Sequence, residues 1–377
     1  MEKIAIFGGT FNPVHNEHVY LAKLAVKELG LDRLIVMPTY SPPHKNAPTT
    51  SAEDRLNMLK LAFYGQDKIV VSDYEIQKQG TSYTYQTVEH YKSSCDCTLY
   101  FIVGGDMLEN FKTWRFPDRI LNACELVAFG REDSTVDFEK EKEYFKSTFN
   151  KQFITLPYTG KCYSSTEIRV YNSLGLSIED KVPTPVANYI KSKGLFVGDK
   201  YYDYIKKVLP EKRLKHTADV ITIALEKAKQ IGMDAKKVEL ACLLHDLAKY
   251  IDYKTVKGFV LPNGVPKPVE HAYLGAYLME KELGITDQDV INAVRYHTSG
   301  RAGMSDLEKL VFVADMVEKG RTYQGVEKLR EAFKGDLNEC FKECLKEELI
   351  HLLNKKEYIY VETLNAYDFY VKDKKEN

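Results

Sequence analysis

The sequence lacks the features of a secreted, membrane-spanning or nucleic-acid-binding protein. Its seven cysteines form no C-x-x-C pair, and the first residues, MEKIAIFGG, have no signal-peptide pattern. No apolar run reaches the ~20 residues that a membrane-spanning helix needs. The formal net charge is only -1, from 53 basic and 54 acidic residues, so no field of one sign would gather nucleic acid. We expect a cytoplasmic protein whose partners are small molecules, not nucleic acid or a membrane.

Two common phosphate-binding signatures are also missing. The paired glycines of AIFGGTFNPVHNEH (residues 5–18) are not followed by the G-K-[ST] of a Walker loop, and G-x-G-x-x-G does not occur. A phosphate site in this chain must therefore be built in another way.

The chain is long enough for two domains, with 377 residues of which 44% are hydrophobic. Apolar runs at 4–7, 34–37, 69–71, 99–103, 126–129 and 153–156 alternate with helical periodicity, which predicts a doubly wound parallel sheet. After residue 198 the strands stop and helical periodicity continues to about residue 355. We predict a Rossmann-like α/β domain over 1–198, followed by an all-α domain over 199–377.

The segment 5–18 is predicted to form a strand, a glycine turn and the start of a helix over 16–29. Gly8 and Gly9 would let a phosphate approach the backbone, and the helix N-terminus offers unpaired N–H groups and partial positive charge. His15 and His18 stand at that entrance, where imidazoles donate hydrogen bonds to phosphate oxygens. Two alternatives stay open: one histidine caps the helix while the other packs on the sheet, or both bind zinc, for which no third ligand is close in sequence.

Five segments of the first half resemble the nucleotidyltransferases with the T/H-x-G-H signature, and within them the bacterial nicotinate-nucleotide adenylyltransferases. They are GGTFNPVHNEH, SPPHKN (41–46), GTSYTYQT (80–87), FIVGGDMLENFKTW (101–114) and YSSTEIR (163–169), in the family's order. The resemblance implies magnesium-dependent transfer of the adenylyl group of ATP to nicotinate mononucleotide. No covalent enzyme intermediate is needed, because positioning and charge neutralisation suffice.

The resemblance also implies site residues, with His15 and His18 in catalysis. The implied ATP contacts are Gly8, Gly9, Thr10, Phe11, His18, Gly104, Asp106, Ser164, Ser165, Thr166 and Arg169. The implied nicotinate-nucleotide contacts are His44, Lys45, Thr81, Tyr83, Thr84 and Trp114. Read without the resemblance, SSTEIR is also an ordinary helix cap, SPPHK a proline turn and Trp114 a core residue. One position departs from the family: Glu17 replaces a glycine and adds bulk and negative charge beside the expected ATP.

In the second half, His245 and Asp246 interrupt the apolar helical segment ACLLHDLAKY. A buried carboxylate without a partner would cost several kcal/mol. His216, His271, His297 and Asp315 lie in other helical segments. Each alone is more often a packed core or surface residue, but together they favour a metal site. Nitrogen and carboxylate ligands without thiolate suit iron or manganese better than structural zinc.

The segment YHTSGRAGMSDLEKLVFVADMVEKGR resembles bacterial HD-domain hydrolases that split diadenosine tetraphosphate (Ap4A) symmetrically into two ADP. The resemblance implies two metal ions. His216, His245, Asp246 and Asp315 would form the core set, and His271 and His297 a second position bridged by Asp246. Lys249, and also Arg301, would contact phosphate, although a solvent-facing position is the alternative for both. We expect Asp306 to be a helix N-cap.

The sequence therefore predicts a bifunctional enzyme, with ATP, nicotinate mononucleotide and Ap4A as its small-molecule partners and a homodimer left open. A first alternative is a pantetheine-phosphate adenylyltransferase-like first domain, which SPPHKN and SYT disfavour. A second is a nucleotide-sensing module in which Glu17 has silenced the first site.

Overall fold

The computed structural model describes residues 1–41, 50–130, 136–158 and 163–372. The chain divides into two compact units. One comprises residues 1–169 and 177–196, and the other comprises residues 170–176 together with the chain from residue 197 onward.

The first unit contains a parallel sheet of six strands. The strands are β1 (Glu2–Gly9), β2 (Arg33–Pro38), β3 (Ile69–Val71), β4 (Cys97–Gly104), β5 (Glu125–Phe129) and β6 (Ile154–Leu156). Their order is β3-β2-β1-β4-β5-β6, and every neighbouring pair is parallel. All six predicted strands are present, and the doubly wound α/β fold is confirmed.

Helices connect and follow these strands. They are α1 (Asn16–Glu28), α2 (Ala52–Ala62), α3 (Tyr74–Lys78), α4 (Thr84–Ser94), α5 (Gly105–Glu109), α6 (Pro117–Ala123), α7 (Phe138–Phe149), α8 (Ser165–Ser173) and α9 (Thr184–Lys193). Cys95 and Cys97 are joined by a disulfide between α4 and β4, whereas Cys124, Cys242, Cys340 and Cys344 are free and buried.

The strand order reverses between β1 and β4, which lie side by side at the centre of the sheet. Phe7 of β1 is paired with Ile102 of β4, so the two strands end together at Gly9 and Gly104. In open parallel sheets, ligands bind outside the carboxyl ends of the strands at such a reversal. The fold therefore brings two glycine-containing segments to the position where a ligand is expected.

The second unit is helical throughout its described part. Its helices are α10 (Lys200–Val208), α11 (Glu211–Ile231), α12 (Ala235–Leu244), α13 (Lys267–Lys281), α14 (Gln288–Tyr296), α15 (Asp306–Val317), α16 (Val326–Lys334), α17 (Leu337–Lys355) and α18 (Val361–Tyr370). The apolar helix α15 is buried along most of its length, and Phe312 packs edge to face on Phe341 of α17 with ring centres 5.3 Å apart. The predicted all-α domain is confirmed.

The start of α15 corrects one expectation. Asp306 is the first helical residue, and the N-cap is Ser305, whose hydroxyl accepts from the Glu308 N–H at 3.2 Å. The Glu308 carboxylate accepts in return from the Ser305 N–H, which completes a capping box. The capping box selects Ser305, because Glu308 stands three residues after it, whereas Lys309 stands three residues after Asp306. Asp306 favours the positive helix end from within the first turn. In the described ranges, we find no helix with the length and apolar character to span a membrane.

Candidate functional sites

The two histidines at the start of α1 contact each other. The His15 backbone N–H donates to Nδ1 of His18 at 3.2 Å, and the rings stack with centres 3.6 Å apart. Because Nδ1 of His18 accepts this bond, a neutral His18 carries its proton on Nε2. His18 thus helps to cap the helix, as one alternative expected, and still presents a defined donor.

Gly9 is required by the close packing of the loop that follows β1. The backbone of Phe11 turns back with a φ of 48°, and a Cβ on Gly9 would lie 3.0 Å from the Phe11 ring. That ring in turn packs edge to face on the His18 ring, with centres 4.9 Å apart. Gly9 therefore makes room for the aromatic side chain that supports His18.

The SSTEIR segment contacts this same loop. Ser164 accepts from the Glu167 N–H at 3.1 Å, which is the ordinary capping role considered above. Ser165 donates from Oγ to the Pro13 carbonyl at 2.9 Å. Arg169 donates from Nη1 to the Asn12 carbonyl at 2.8 Å. Two segments predicted to bind ATP are thus joined by hydrogen bonds across more than 150 residues of sequence.

The segments predicted to bind the nicotinate nucleotide also meet. Ser41 and Thr81 form a parallel β-bridge, and the Ser82 N–H donates to the Ser41 carbonyl at 2.9 Å. Near them, the Arg115 guanidinium lies 4.9 Å from the centre of the Tyr83 ring.

Other residues of this predicted set have more local surroundings. Thr84 is the first residue of α4, and Trp114 is half-buried beside Phe111, with ring centres 5.2 Å apart. His44 and Lys45 lie outside the described residues, as does the side chain of Asp106.

Glu17 has a partner that the sequence did not reveal. Its side chain is buried, and its carboxylate accepts a hydrogen bond from the Tyr158 hydroxyl, just after β6. The two residues are 141 positions apart. The carboxylate that replaces the family's glycine is therefore bound to the protein's own phenol.

In the helical unit, Asp246 lies between two pairs of imidazoles. Its Oδ1 is 3.1 Å from Nε2 of His271 and 3.8 Å from Nε2 of His297. Its Oδ2 is 3.4 Å from Nε2 of His245 and 3.9 Å from Nε2 of His216. Each pair, together with Asp246, could hold a metal ion. The structure thus brings together residues from four separate sequence segments around one carboxylate.

The last predicted ligand joins the cluster through His216. Asp315 on α15 places Oδ1 3.0 Å from Nε2 of His216. Lys249 also points into the cluster, with Nζ 3.2 Å from Nε2 of His271 and 3.6 Å from Oδ1 of Asp246. Arg301, by contrast, forms a paired contact with Glu308, at 2.6 Å from Nη2.

Backbone carbonyls fix the orientation of two of the imidazoles. Nδ1 of His245 is 2.7 Å from the Cys242 carbonyl, and Nδ1 of His297 is 2.7 Å from the Val294 carbonyl. A carbonyl only accepts, so Nδ1 is the donor in both rings and Nε2 of the neutral ring carries a lone pair. Metal-binding histidines are oriented in this way by their second nitrogen. Both Nε2 atoms face the cluster.

The charge states in most of the cluster also suit a metal. Burial, and then the neighbouring His271 and His245, lower the pKa of His297 to about 3. Burial likewise lowers the pKa of His271. Although burial acts against it, contacts with the imidazoles hold the pKa of Asp246 well below its usual value. Neutral imidazoles and ionised carboxylates are the forms that bind divalent cations.

The pKa of His216 is shifted in the opposite direction from those of His271 and His297. Burial would lower its pKa, but hydrogen bonds to Asp315 and Glu318 outweigh burial and raise it to about 9. A metal ion that binds Nε2 of His216 must therefore displace a proton at neutral pH.

Three charged residues around the cluster were missed by the sequence analysis. Glu318 places Oε1 3.1 Å from Nδ1 of His216. Arg213 donates to Oδ2 of Asp246 at 2.7 Å, and Arg321 contacts Asp315. The spacing D-x-x-E of Asp315 and Glu318 was an available signal, since residues three apart share a helix face.

Two family models match the chain. Residues 6–170 match the cytidylyltransferase-like family, and residues 213–320 match the HD domain family. The HD match and the histidine–aspartate cluster together indicate dependence on a divalent metal.

Two relatives each match about half of the chain, and a third matches most of it. A Clostridium tetani protein named "Probable nicotinate-nucleotide adenylyltransferase" is 40% identical over 52% of this chain and 100% of its own length. The Bacillus subtilis "Bis(5'-nucleosyl)-tetraphosphatase, symmetrical" is 36% identical over 44% of this chain and 94% of its own. A Mycoplasma genitalium protein named "Probable nicotinate-nucleotide adenylyltransferase/Ap4A hydrolase" is 31% identical over 85% of this chain and 88% of its own. The chain belongs to the family of two-domain nicotinate-nucleotide adenylyltransferase/Ap4A hydrolase proteins.

Proposed function

We propose that the chain is a bifunctional enzyme. The domain over 1–198 joins ATP and nicotinate mononucleotide to form nicotinate adenine dinucleotide and pyrophosphate. The domain over 199–377 hydrolyses Ap4A to two ADP. The first activity is supported by the contact of the β1–α1 loop with Ser165 and Arg169, and the second by the position of Asp246 between two imidazole pairs.

In the first reaction, a phosphate oxygen of nicotinate mononucleotide attacks the α-phosphorus of ATP. The new P–O bond forms as the bond from the α-phosphorus to the bridging oxygen breaks, and pyrophosphate leaves in line. Nε2 of His18 donates to the α-phosphate, and the N-terminus of α1 adds N–H groups and partial positive charge. Mg²⁺ bound with ATP would supply charge neutralisation at the pyrophosphate leaving group.

The substrate contacts of this domain follow the sequence prediction. ATP would lie against Gly8, Gly9, Thr10, Phe11, His18, Gly104, Asp106, Ser164, Ser165, Thr166 and Arg169, with His15 beside His18 in catalysis. The nicotinate nucleotide would lie against His44, Lys45, Thr81, Tyr83, Thr84 and Trp114. Ser165 and Arg169 are already bonded to the loop carbonyls, so they support the loop as well as the nucleotide.

In the second reaction, water attacks one of the two inner phosphorus atoms, and the central P–O–P bridge breaks to leave two ADP. Two ions of iron or manganese would be held by His216, His245, Asp246, Asp315, His271 and His297. When bound, they supply Lewis-acid polarisation of the phosphate and the attacking water. The Lys249 ammonium, 3.6 Å from Asp246, is placed to attract the phosphate chain.

We further propose that the enzyme works in the cytoplasm, where its nucleotide substrates are made. Its near-zero net charge supports partners that are small nucleotides and not nucleic acid. We also propose that the chain forms a homodimer, which measurement of its mass in solution by sedimentation would test.

His18→Ala should lower kcat for adenylyl transfer by about 10² or more, because a preorganised donor to the transition state is lost. Pyrophosphate release from ATP and nicotinate mononucleotide measures this. The matched control is His90→Ala, which removes an exposed imidazole of the same domain and should leave the rate unchanged. Near-normal turnover of His18→Ala would remove His18 from catalysis, and activity only with phosphopantetheine would replace the proposed acceptor.

Asp246→Ala should abolish Ap4A hydrolysis and metal retention while adenylyl transfer continues at nearly its normal rate. The shared carboxylate is lost, so both ion positions fail together. ADP release and metal content per chain are the two measurements. The control is Asp306→Ala, which removes an exposed carboxylate outside the cluster.

A purely structural role for Asp246 gives a different result. The helical domain would then lose about 3–5 kcal/mol of stability, as for a broken buried pair, without a specific metal effect. A folded Asp246→Ala variant that still releases ADP normally would contradict the proposal.

Glu318→Gln should weaken metal affinity about 10- to 100-fold, because the carboxylate that orients His216 becomes a neutral amide. Competition with a chromophoric chelator measures the affinity. Glu327→Gln serves as control, since that carboxylate is 80% exposed and pairs with Arg330. Equal affinities of the Glu318→Gln and wild-type chains would show that His216 does not need this partner.

A further inference from the structure

Arg55 on α2 is a buried cation without a counter-ion. It is 1% exposed, and among the described residues no other lysine or arginine is as buried. Its Nη1 donates to the Thr10 carbonyl at 2.8 Å and its Nη2 to the Tyr40 carbonyl at 3.3 Å. Its Nε, also buried, has no hydrogen-bond partner in the described part of the chain.

The missing charge partner is unusual at this depth. Within the described ranges, burial is the one influence on the charge of Arg55 and no carboxylate pairs with it, and the segment 42–49 that follows Ser41 in sequence contains no acidic residue. Burial lowers the pKa of Arg55, yet a guanidinium stays protonated at neutral pH. A buried charge without compensation is costly. The site therefore favours an anion that the chain does not itself provide.

The two carbonyls that Arg55 holds belong to different substrate loops. Thr10 is in the β1–α1 loop, which we propose for ATP. Tyr40 follows β2, directly before the segment that we propose for the nicotinate nucleotide, and its N–H donates to Oγ of Ser82 at 3.0 Å. The Thr39 N–H also donates to the Gly9 carbonyl at 2.9 Å. One guanidinium thus lies where both loops meet.

Further unpaired polar atoms lie in the same two loops. Oδ1 of the buried Asn12 and Oγ1 of Thr39 have no hydrogen-bond partner in the described part of the chain. Unpaired buried polar atoms are rare in folded proteins and are explained where a ligand or water completes them. Together with Nε of Arg55, these atoms indicate that the two loops hold hydrogen-bonding groups that a bound ligand or water would complete.

We propose that Arg55 is a positioning residue that couples the two substrate sites. Its fork ties the ATP loop to the nicotinate-nucleotide loop, and the phosphates of the bound substrates supply its counter-charge. Because Arg55 holds one carbonyl of each loop, a substrate that fixes the position of one carbonyl also fixes the other. Each nucleotide therefore strengthens binding of the second, and by equal factors. This inference rests on the proposed adenylyl transfer. It assigns to Arg55 no contact with the reacting atoms.

The test measures binding of a non-hydrolysable ATP analogue and of nicotinate mononucleotide to the full chain, each alone and each with the other present. We expect each to tighten the other by about 5-fold or more in the wild type, the lower range of typical coupling. In Arg55→Met both affinities should fall and the coupling factor should approach one. Arg55→Lys should regain part of the affinities through its charge, but not the coupling, because an ammonium lacks the planar fork.

Lys60→Met is the matched control, because it removes an exposed cation from the same helix. It should keep wild-type affinities and coupling. Trp114 fluorescence checks that each variant is folded, and Arg55→Lys carries the test if Arg55→Met does not fold. Wild-type coupling retained in either folded Arg55 variant would overturn the inference. If the wild type binds both nucleotides without coupling, the inference alone fails, and if it binds neither, the proposed function fails with it.

Discussion

A carboxylate buried in a helical domain has to be compensated, and the compensation of Asp246 organises the second half of this chain. His245 and His297 are the C-caps of α12 and α14, where each helix ends beside the cluster. In each case Nδ1–H of the histidine donates to the carbonyl of the residue three positions earlier, so that Nε2 faces the cluster. Helices α11, α13 and α15 supply His216, His271 and Asp315. The helical packing therefore serves one polar centre inside an apolar domain.

For the first domain, the function proposed above requires that phosphate charge be compensated in a different way. Its loop follows the central strand of a parallel sheet and leads into a helix N-terminus, where backbone N–H groups provide the positive potential. The proton of His18 is fixed by the His15 backbone, and the loop is held by Ser165, Arg169 and Arg55. Donors are arranged before substrate arrives, so little reorganisation is needed during transfer. Under the proposed function, the two domains compensate phosphate charge with hydrogen-bond donors in one and with metal ligands in the other.

Most of the fold was predictable because periodicity is a local property. Each strand was visible as a short apolar run, and α1 begins at the predicted residue, Asn16. The meeting of the histidines around Asp246 was also predictable, since a histidine and an aspartate inside an apolar helix need polar partners. Contacts between residues far apart in the sequence could not be predicted in this way. The Glu17–Tyr158 bond spans 141 residues, and Arg55 occupies an ordinary helical segment whose burial only the folded loops explain. Ser305 and not Asp306 is the cap because Glu308 stands at the spacing that completes a capping box with Ser305.

A metal-binding role for the cluster around Asp246 can be separated from a purely structural one. The most direct measurement is a titration of the metal-free full chain with Mn²⁺, in which bound ions per chain and the thermal unfolding of the helical domain are followed together. Two ions should bind, and the unfolding temperature should rise as they do, because a ligand that binds only the folded state stabilises it. An unfolding temperature that does not change at saturating Mn²⁺, with no ion retained, would contradict the account.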